Sequence, residues 1–196
     1  MKKAVLPCVI ILCICLNNAG AAITFTGGGT YDIDYLIDDY VNVWDATVNI
    51  LPGATITGIL NVWQYGVLNM YDGNLEYMLY AMDNGQANIY GGFIGEGYVN
   101  IYAYAGSQAE FNIYGTNFNY PYGPIPETVD WTEGTLTGTL YMGEEISWKF
   151  RFPNGSDIIL HEMSQEPDNV VPVPGSCILT SLGIGLITLL RRRRTL

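Results

Sequence analysis

Between Lys3 and Arg191 the chain has only two basic residues, Lys149 and Arg151, whereas all nineteen acidic residues fall between Asp32 and Asp168. Two positive against nineteen negative side chains leave that interval with a formal charge of about −17. A body so acidic repels phosphate backbones, which excludes nucleic acid as a partner. Cysteine is missing from the same interval, because Cys8, Cys13 and Cys15 lie near one end and Cys177 near the other. The body therefore owes nothing to disulfides or a thiolate metal site. His161 is the single histidine; with no partner in the sequence it reads as a surface residue rather than a catalyst. There is no G-x-S-x-G elbow, phosphate loop or zinc signature, and Asp45, Asp72, Glu76, Asp83, Glu96 and Glu110 are scattered with no cation near them in sequence. A non-enzymatic protein without a cofactor is expected, and a β-helix polysaccharide lyase or hydrolase is the weaker alternative.

What is present is repetition. An apolar residue, asparagine, an apolar residue and an aromatic recur as Val41-Asn42-Val43-Trp44, Leu60-Asn61-Val62-Trp63, Leu68-Asn69-Met70-Tyr71, Ala87-Asn88-Ile89-Tyr90, Val99-Asn100-Ile101-Tyr102 and Phe111-Asn112-Ile113-Tyr114. Stacked at a step of about twenty residues, the size of one repeat turn, they form two columns. One begins at Val41, Leu60, Leu79 and Val99; the other at Val48, Leu68, Ala87 and Phe111, with an insertion at residues 103–109. A third column follows a glycine, with Ile56, Leu75, Ile94 and Phe118 after Gly53, Gly73, Gly92 and Gly115. Three short strands per turn with glycine-rich corners predict an all-β fold, a parallel β-solenoid of about four coils over residues 22–126.

Strand alternation places the valines, leucines and isoleucines inside and leaves asparagines and aromatics outside. The outer rows then hold Trp44, Trp63 and Tyr102, with Met82 in the third place, and Tyr71, Tyr90 and Tyr114. These six rings are the candidate ligand face. Stacked tyrosines also serve simply to hold a solenoid together, and that structural reading takes precedence. Thr55, Thr57, Thr135, Thr137 and Thr139 make no regular row on the coils, which counts against ice binding.

At the start of the body, Asp32, Asp34, Asp38 and Asp39 lie in an N-terminal cap; their spacing is not that of an EF-hand loop, so a solvated acidic edge is preferred to a calcium site. Pro121, Pro124 and Pro126 should end the coils. Residues 127–161 alternate as antiparallel strands and are expected to form a small β-sheet cap, followed by a linker at 162–171.

The two ends carry targeting signals. Residues 1–21 combine Lys2 and Lys3, an apolar run and Ala19-Gly20-Ala21, the pattern of a signal peptide cleaved after Ala21. Just after Val171, residues 172–196 hold Pro172-Val173-Pro174, an apolar stretch and then Arg191, Arg192, Arg193 and Arg194, the pattern of a membrane segment with a cytoplasmic stop. This tail resembles the PEP-CTERM sorting signal of exported bacterial surface proteins. Pro172 and Pro174 match the family's two prolines and the four arginines match its basic cluster, while Val173 stands where the family has glutamate. The resemblance implies processing by an exosortase-type membrane enzyme and delivery to the cell surface or the extracellular polysaccharide matrix of a biofilm. The expectation is an exported, structural or polysaccharide-associated β-solenoid, membrane-anchored before processing, with a carbohydrate-binding module using the Trp and Tyr rows as the alternative.

Overall fold

The computed structural model describes residues 22–163, apart from 96, 97, 105, 106 and 129. The signal peptide with Ala19, the end of the linker, and the tail with Pro172, Val173, Pro174 and the four arginines lie outside the described residues, as does Ala21. Among the described residues the structure is all β, with no helix.

Coils of three strands follow one another. The first is β1 (Ile23–Phe25), β2 (Thr30–Ile33) and β3 (Leu36–Ile37); the second is β4 (Val41–Trp44), β5 (Thr47–Ile50) and β6 (Thr55–Ile56). The third is β7 (Leu60–Trp63), β8 (Val67–Met70) and β9 (Asn74–Leu75), and the fourth is β10 (Leu79–Ala81), β11 (Gln86–Ile89) and β12 (Phe93–Ile94). A fifth has two strands, β13 (Ile101–Ala103) and β14 (Glu110–Thr116). Each strand pairs in parallel with its copy one coil away, so Val41 meets Leu60 and Leu60 meets Leu79, while Leu68 meets Ala87 and Ala87 meets Phe111. This is the expected β-solenoid. The segment read as its N-terminal cap is itself a complete coil, with Ile23 paired to Val41, Tyr31 to Val48 and Ile37 to Ile56.

The side chains face as alternation requires. Val41, Val43, Leu60, Val62, Leu68, Met70, Ala87, Ile89, Phe111 and Ile113 are buried, and Ile37, Ile56, Leu75 and Ile94 line the third wall. The corners repeat too. Asp45, Gln64 and Asp83 hold left-handed φ of 49°, 50° and 53° at the same place in successive coils, a conformation that aspartate tolerates better than most residues. The next corner takes φ of 93°, 95° and 94° at Gly53, Gly73 and Gly92, where a side chain would be strained.

After the fifth coil the chain forms β15 (Gly123–Pro124), β16 (Trp131–Leu140), β17 (Glu145–Pro153) and β18 (Asp157–Glu162). The antiparallel pairing expected for this region is present between β16 and β17. Its partners complete the solenoid: β17 pairs in parallel with β13, and β18 pairs in parallel with β14 over six residues. The two long faces thus have six strands each, β1-β4-β7-β10-β13-β17 and β2-β5-β8-β11-β14-β18, joined at the C-terminal end by β16. Outermost beside β18 lies β15, where Pro124 has no N–H to leave unpaired.

Candidate functional site

The two long faces carry different outer rows. On the β2 to β18 face, Asp32 is an acceptor with no donor of its own, so the Asn49 amide must donate to it, at 2.7 Å. That choice fixes every amide above. Asn69 donates to Asn49 at 2.9 Å, Asn88 to Asn69 at 2.9 Å and Asn112 to Asn88 at 3.1 Å. The Asn112 oxygen then faces His161 Nε2 at 2.7 Å. Beside this line runs a column of rings, Tyr71, Tyr90, Tyr114 and His161, with centroids 5.3, 4.3 and 4.5 Å apart and planes within 14° of parallel. His161 therefore closes both ladders and is half-buried there, which corrects its reading as a partnerless surface residue. Burial, with the neighbouring Tyr114 and Tyr71, pushes the Tyr90 hydroxyl up to about 12.

The acidic edge has a similar job. Besides Asp32 in the amide ladder, Asp38 accepts the Thr57 hydroxyl at 2.8 Å and Asp39 accepts the Tyr40 N–H at 2.7 Å. At the other end of the face, Asp157 pairs in register with Glu110. Burial first, then Glu127 and Glu110, hold its carboxyl above the usual range.

The β1 to β17 face begins the same way and then departs. Asn61 donates to Asn42 at 2.9 Å, and Trp44 and Trp63 stack at 5.6 Å, bringing together that predicted pair. The next register mates of Asn42 and Asn61 are Tyr80, Tyr102 and Arg151, and across β17 the row ends at Glu133 of β16. Tyr102 is therefore not above Trp63. It stacks on Tyr80 at 5.0 Å, while Met82 and Tyr104 stand beyond the paired Ala81 and Ala103, in the tryptophan column. The cause is a slip of two residues: Leu79 pairs with Ile101, not with Val99. Asn100 of the fifth phrase consequently joins no ladder. It is buried, donating to the carbonyls of Ile94 and Gly95 at 3.1 and 2.6 Å and accepting the Lys149 N–H at 2.8 Å.

Around Arg151 the C-terminal end of this face becomes a shallow groove. Its guanidinium lies 4.5 Å from the centre of the Trp131 ring, and Trp131 is 6.0 Å from Tyr102. Arg151 Nε is 2.9 Å from Glu133 Oε1, but the N–H is not aimed at that oxygen, so the pair is held by charge rather than a hydrogen bond. Both side chains are well exposed, which limits the pair to about 1 kcal/mol or less. Two depressions meet at Tyr98, Val99 and Arg151: one of about 340 Å³ beside Glu133, Thr135 and Lys149, the other of about 260 Å³ beside Met78, Tyr80 and Tyr102. Tyr98 is 86% exposed, the largest value among the exposed large apolar and aromatic residues, and Trp44 and Tyr104 are exposed too. Burial, with Tyr102 and Tyr104 next to it, pushes the Tyr80 hydroxyl up to about 12.

Of the six predicted rings, Tyr71, Tyr90 and Tyr114 form one continuous stack on the first of these faces, and Trp44 with Trp63 forms a pair on the other. Tyr102 belongs to a separate cluster with Tyr80, Tyr104 and Trp131. Sequence reasoning passed over Tyr80, Tyr98, Tyr104 and Trp131. Tyr80 carried a signal, since it replaces the asparagine of its phrase. No protein-family model, no curated protein and no solved structure matches this chain.

Proposed function

We propose that this is an exported, non-catalytic β-solenoid of the bacterial cell surface or extracellular matrix, delivered through the sorting signals at its ends and holding polysaccharide along its β1 to β17 face. The observation that supports this reading is the contrast in outer rows. The asparagine and tyrosine ladders of the other face satisfy one another, while Trp44, Tyr98 and Tyr104 keep large exposed ring surfaces beside polar groups. Flat rings with adjacent donors and acceptors suit sugar rings, which offer C–H faces and hydroxyl edges.

Delivery and binding have separate tests. Intact mass of the protein from the producing cell's envelope and medium should show a start after Ala21 and, in the surface or medium fraction, an end near Pro174. A full-length tail found only in the inner membrane would overturn sorting through Val171-Pro172-Val173-Pro174. For binding, migration of the recovered protein should be retarded in native gels containing polysaccharide from the producing cell's matrix, and the Trp44→Ala/Tyr104→Ala double variant should lose most of that retardation. Equal migration with and without polysaccharide would overturn the binding role.

A further inference from the structure

Of the eight basic residues in the chain, the two that lie among the described residues, Lys149 and Arg151, are two positions apart on β17 and point out of the same face. Exposed side chains elsewhere on the body are neutral or acidic, so this is the one described place where a negative group meets positive charge. Arg151 is already neutralised in part by Glu133, its register mate on β16. Lys149 is exposed, stands opposite Thr135 in register, and has no ion-pair partner among the described residues. It borders the same depression as Tyr98, whose ring is almost wholly in water.

Resting on the polysaccharide reading above, we propose that Tyr98, Tyr102, Lys149 and Arg151 form a subsite for a single carboxylated sugar, a uronate, within an otherwise neutral glycan chain. The carboxylate lies toward Lys149 and Arg151, which supply charge-assisted hydrogen bonds. The C–H face of the pyranose lies on the Tyr98 ring, and neighbouring neutral sugars run past Tyr102 toward Tyr80. Charge decides the spacing of the uronates. With a Debye length of about 8 Å at physiological salt, one carboxylate at the site feels chiefly the two cations and Glu133, a net positive charge of about one. A chain with a carboxylate on every sugar carries further charges along the acidic body, where no cation answers them.

The experiment is titration calorimetry of the protein recovered from the producing cell with three probes: an oligosaccharide alternating glucuronate with a neutral sugar, its carboxyl-reduced counterpart, and polygalacturonate of equal length. The alternating probe should bind tightest, and reducing its carboxylates should weaken it about tenfold or more, the equivalent of one lost charge-assisted hydrogen bond. Lys149→Gln and Tyr98→Ala change exposed side chains, leave the fold intact, and should each weaken the alternating probe while leaving the reduced probe unchanged for Lys149→Gln. Equal affinity for the alternating and reduced probes, or no effect of Lys149→Gln, overturns the uronate subsite but leaves neutral-glycan binding standing. No binding of any probe, together with unretarded migration in matrix polysaccharide, overturns both.

Discussion

The two long faces of the solenoid are built from the same strand phrase, yet one keeps its asparagine row from β5 through β14 and the other abandons it after β7. On the β2 to β18 face the outer asparagine recurs at Asn49, Asn69, Asn88 and Asn112, and each amide both donates and accepts. On the β1 to β17 face it stops after Asn42 and Asn61 and gives way to Tyr80, Tyr102 and Arg151. A ladder works only if every rung matches, since each amide needs the one below and the one above. Fidelity therefore marks the face that holds the coils together, and departure from the repeat marks the face free to do something else.

Substitution at matched rungs tests this difference most strongly. Asn69→Ala removes two side-chain hydrogen bonds and strands Asn49 and Asn88, so a loss of about 2 kcal/mol is expected in denaturant unfolding. Asn61→Ala, its counterpart, removes the single bond to Asn42 and should cost about 1 kcal/mol. Equal losses at the two positions would mean that the faces contribute alike. Tyrosine and tryptophan give a parallel but smaller contrast. Tyr90 is stacked on both sides and Trp44 on one, so Tyr90→Ala should lose more, each stacked pair contributing about 0.5–1.5 kcal/mol beyond area. A larger loss for Trp44→Ala would break the assignment of roles to the faces.

How much of this was legible follows from the same contrast. Where the repeat is faithful, sequence periodicity gave the strand positions, the inward set from Val41 to Ile113, and the Tyr71, Tyr90 and Tyr114 column, because one register satisfies every rung. Val99-Asn100-Ile101-Tyr102 misled because it is a good copy of the phrase displaced by two residues, and only the pairing of Leu79 with Ile101 reveals the slip. Periodicity also could not show that β17 and β18 rejoin the faces, since their pairing with β13 and β14 spans a proline-bearing connection and a hairpin. His161 was misread for the same reason: its partners Asn112 and Tyr114 are 49 and 47 residues away, and only the return of β18 brings them into contact.

Ionisation of the tyrosines sharpens the comparison further. Tyr80 on one face and Tyr90 on the other both have hydroxyls pushed up from 10.0 to about 12, burial being the first cause in each. The folded protein thus holds these two protons more tightly than the unfolded chain. Stability is unaffected below the ordinary tyrosine value and falls as pH rises from about 10 to about 12. Phenolate absorbance should show the two titrating late, and Tyr80→Phe and Tyr90→Phe should each remove one late group. A bound glycan should change the Tyr80 titration and leave that of Tyr90 untouched. A shift in both would mean that the ligand acts on the whole solenoid rather than on one face.

The smallest expected effect lies where the faithful face is itself imperfect. Asp157 on β18 pairs directly with Glu110 on β14, and like charges in register across a ladder are destabilising. Glu110 is held in place by Gln86 and Asn112, which donate to it at 3.0 and 2.6 Å, so it cannot easily swing away. The Asp157 carboxyl is raised as a result of burial and of Glu127 and Glu110. A raised carboxyl means that the folded state keeps its proton to higher pH than the unfolded chain, so stability is lost as pH climbs through the interval above the ordinary value of 3.8. Asp157→Asn, which cannot ionise, should therefore raise the melting temperature at neutral pH. That gain should vanish in acid, below the ordinary carboxylate range, where Asp157 is protonated in both states. A variant no more stable than the parent at neutral pH would show that Glu110 and Asp157 do not strain this rung, and that the sixth strand closes the ladder as comfortably as those below it.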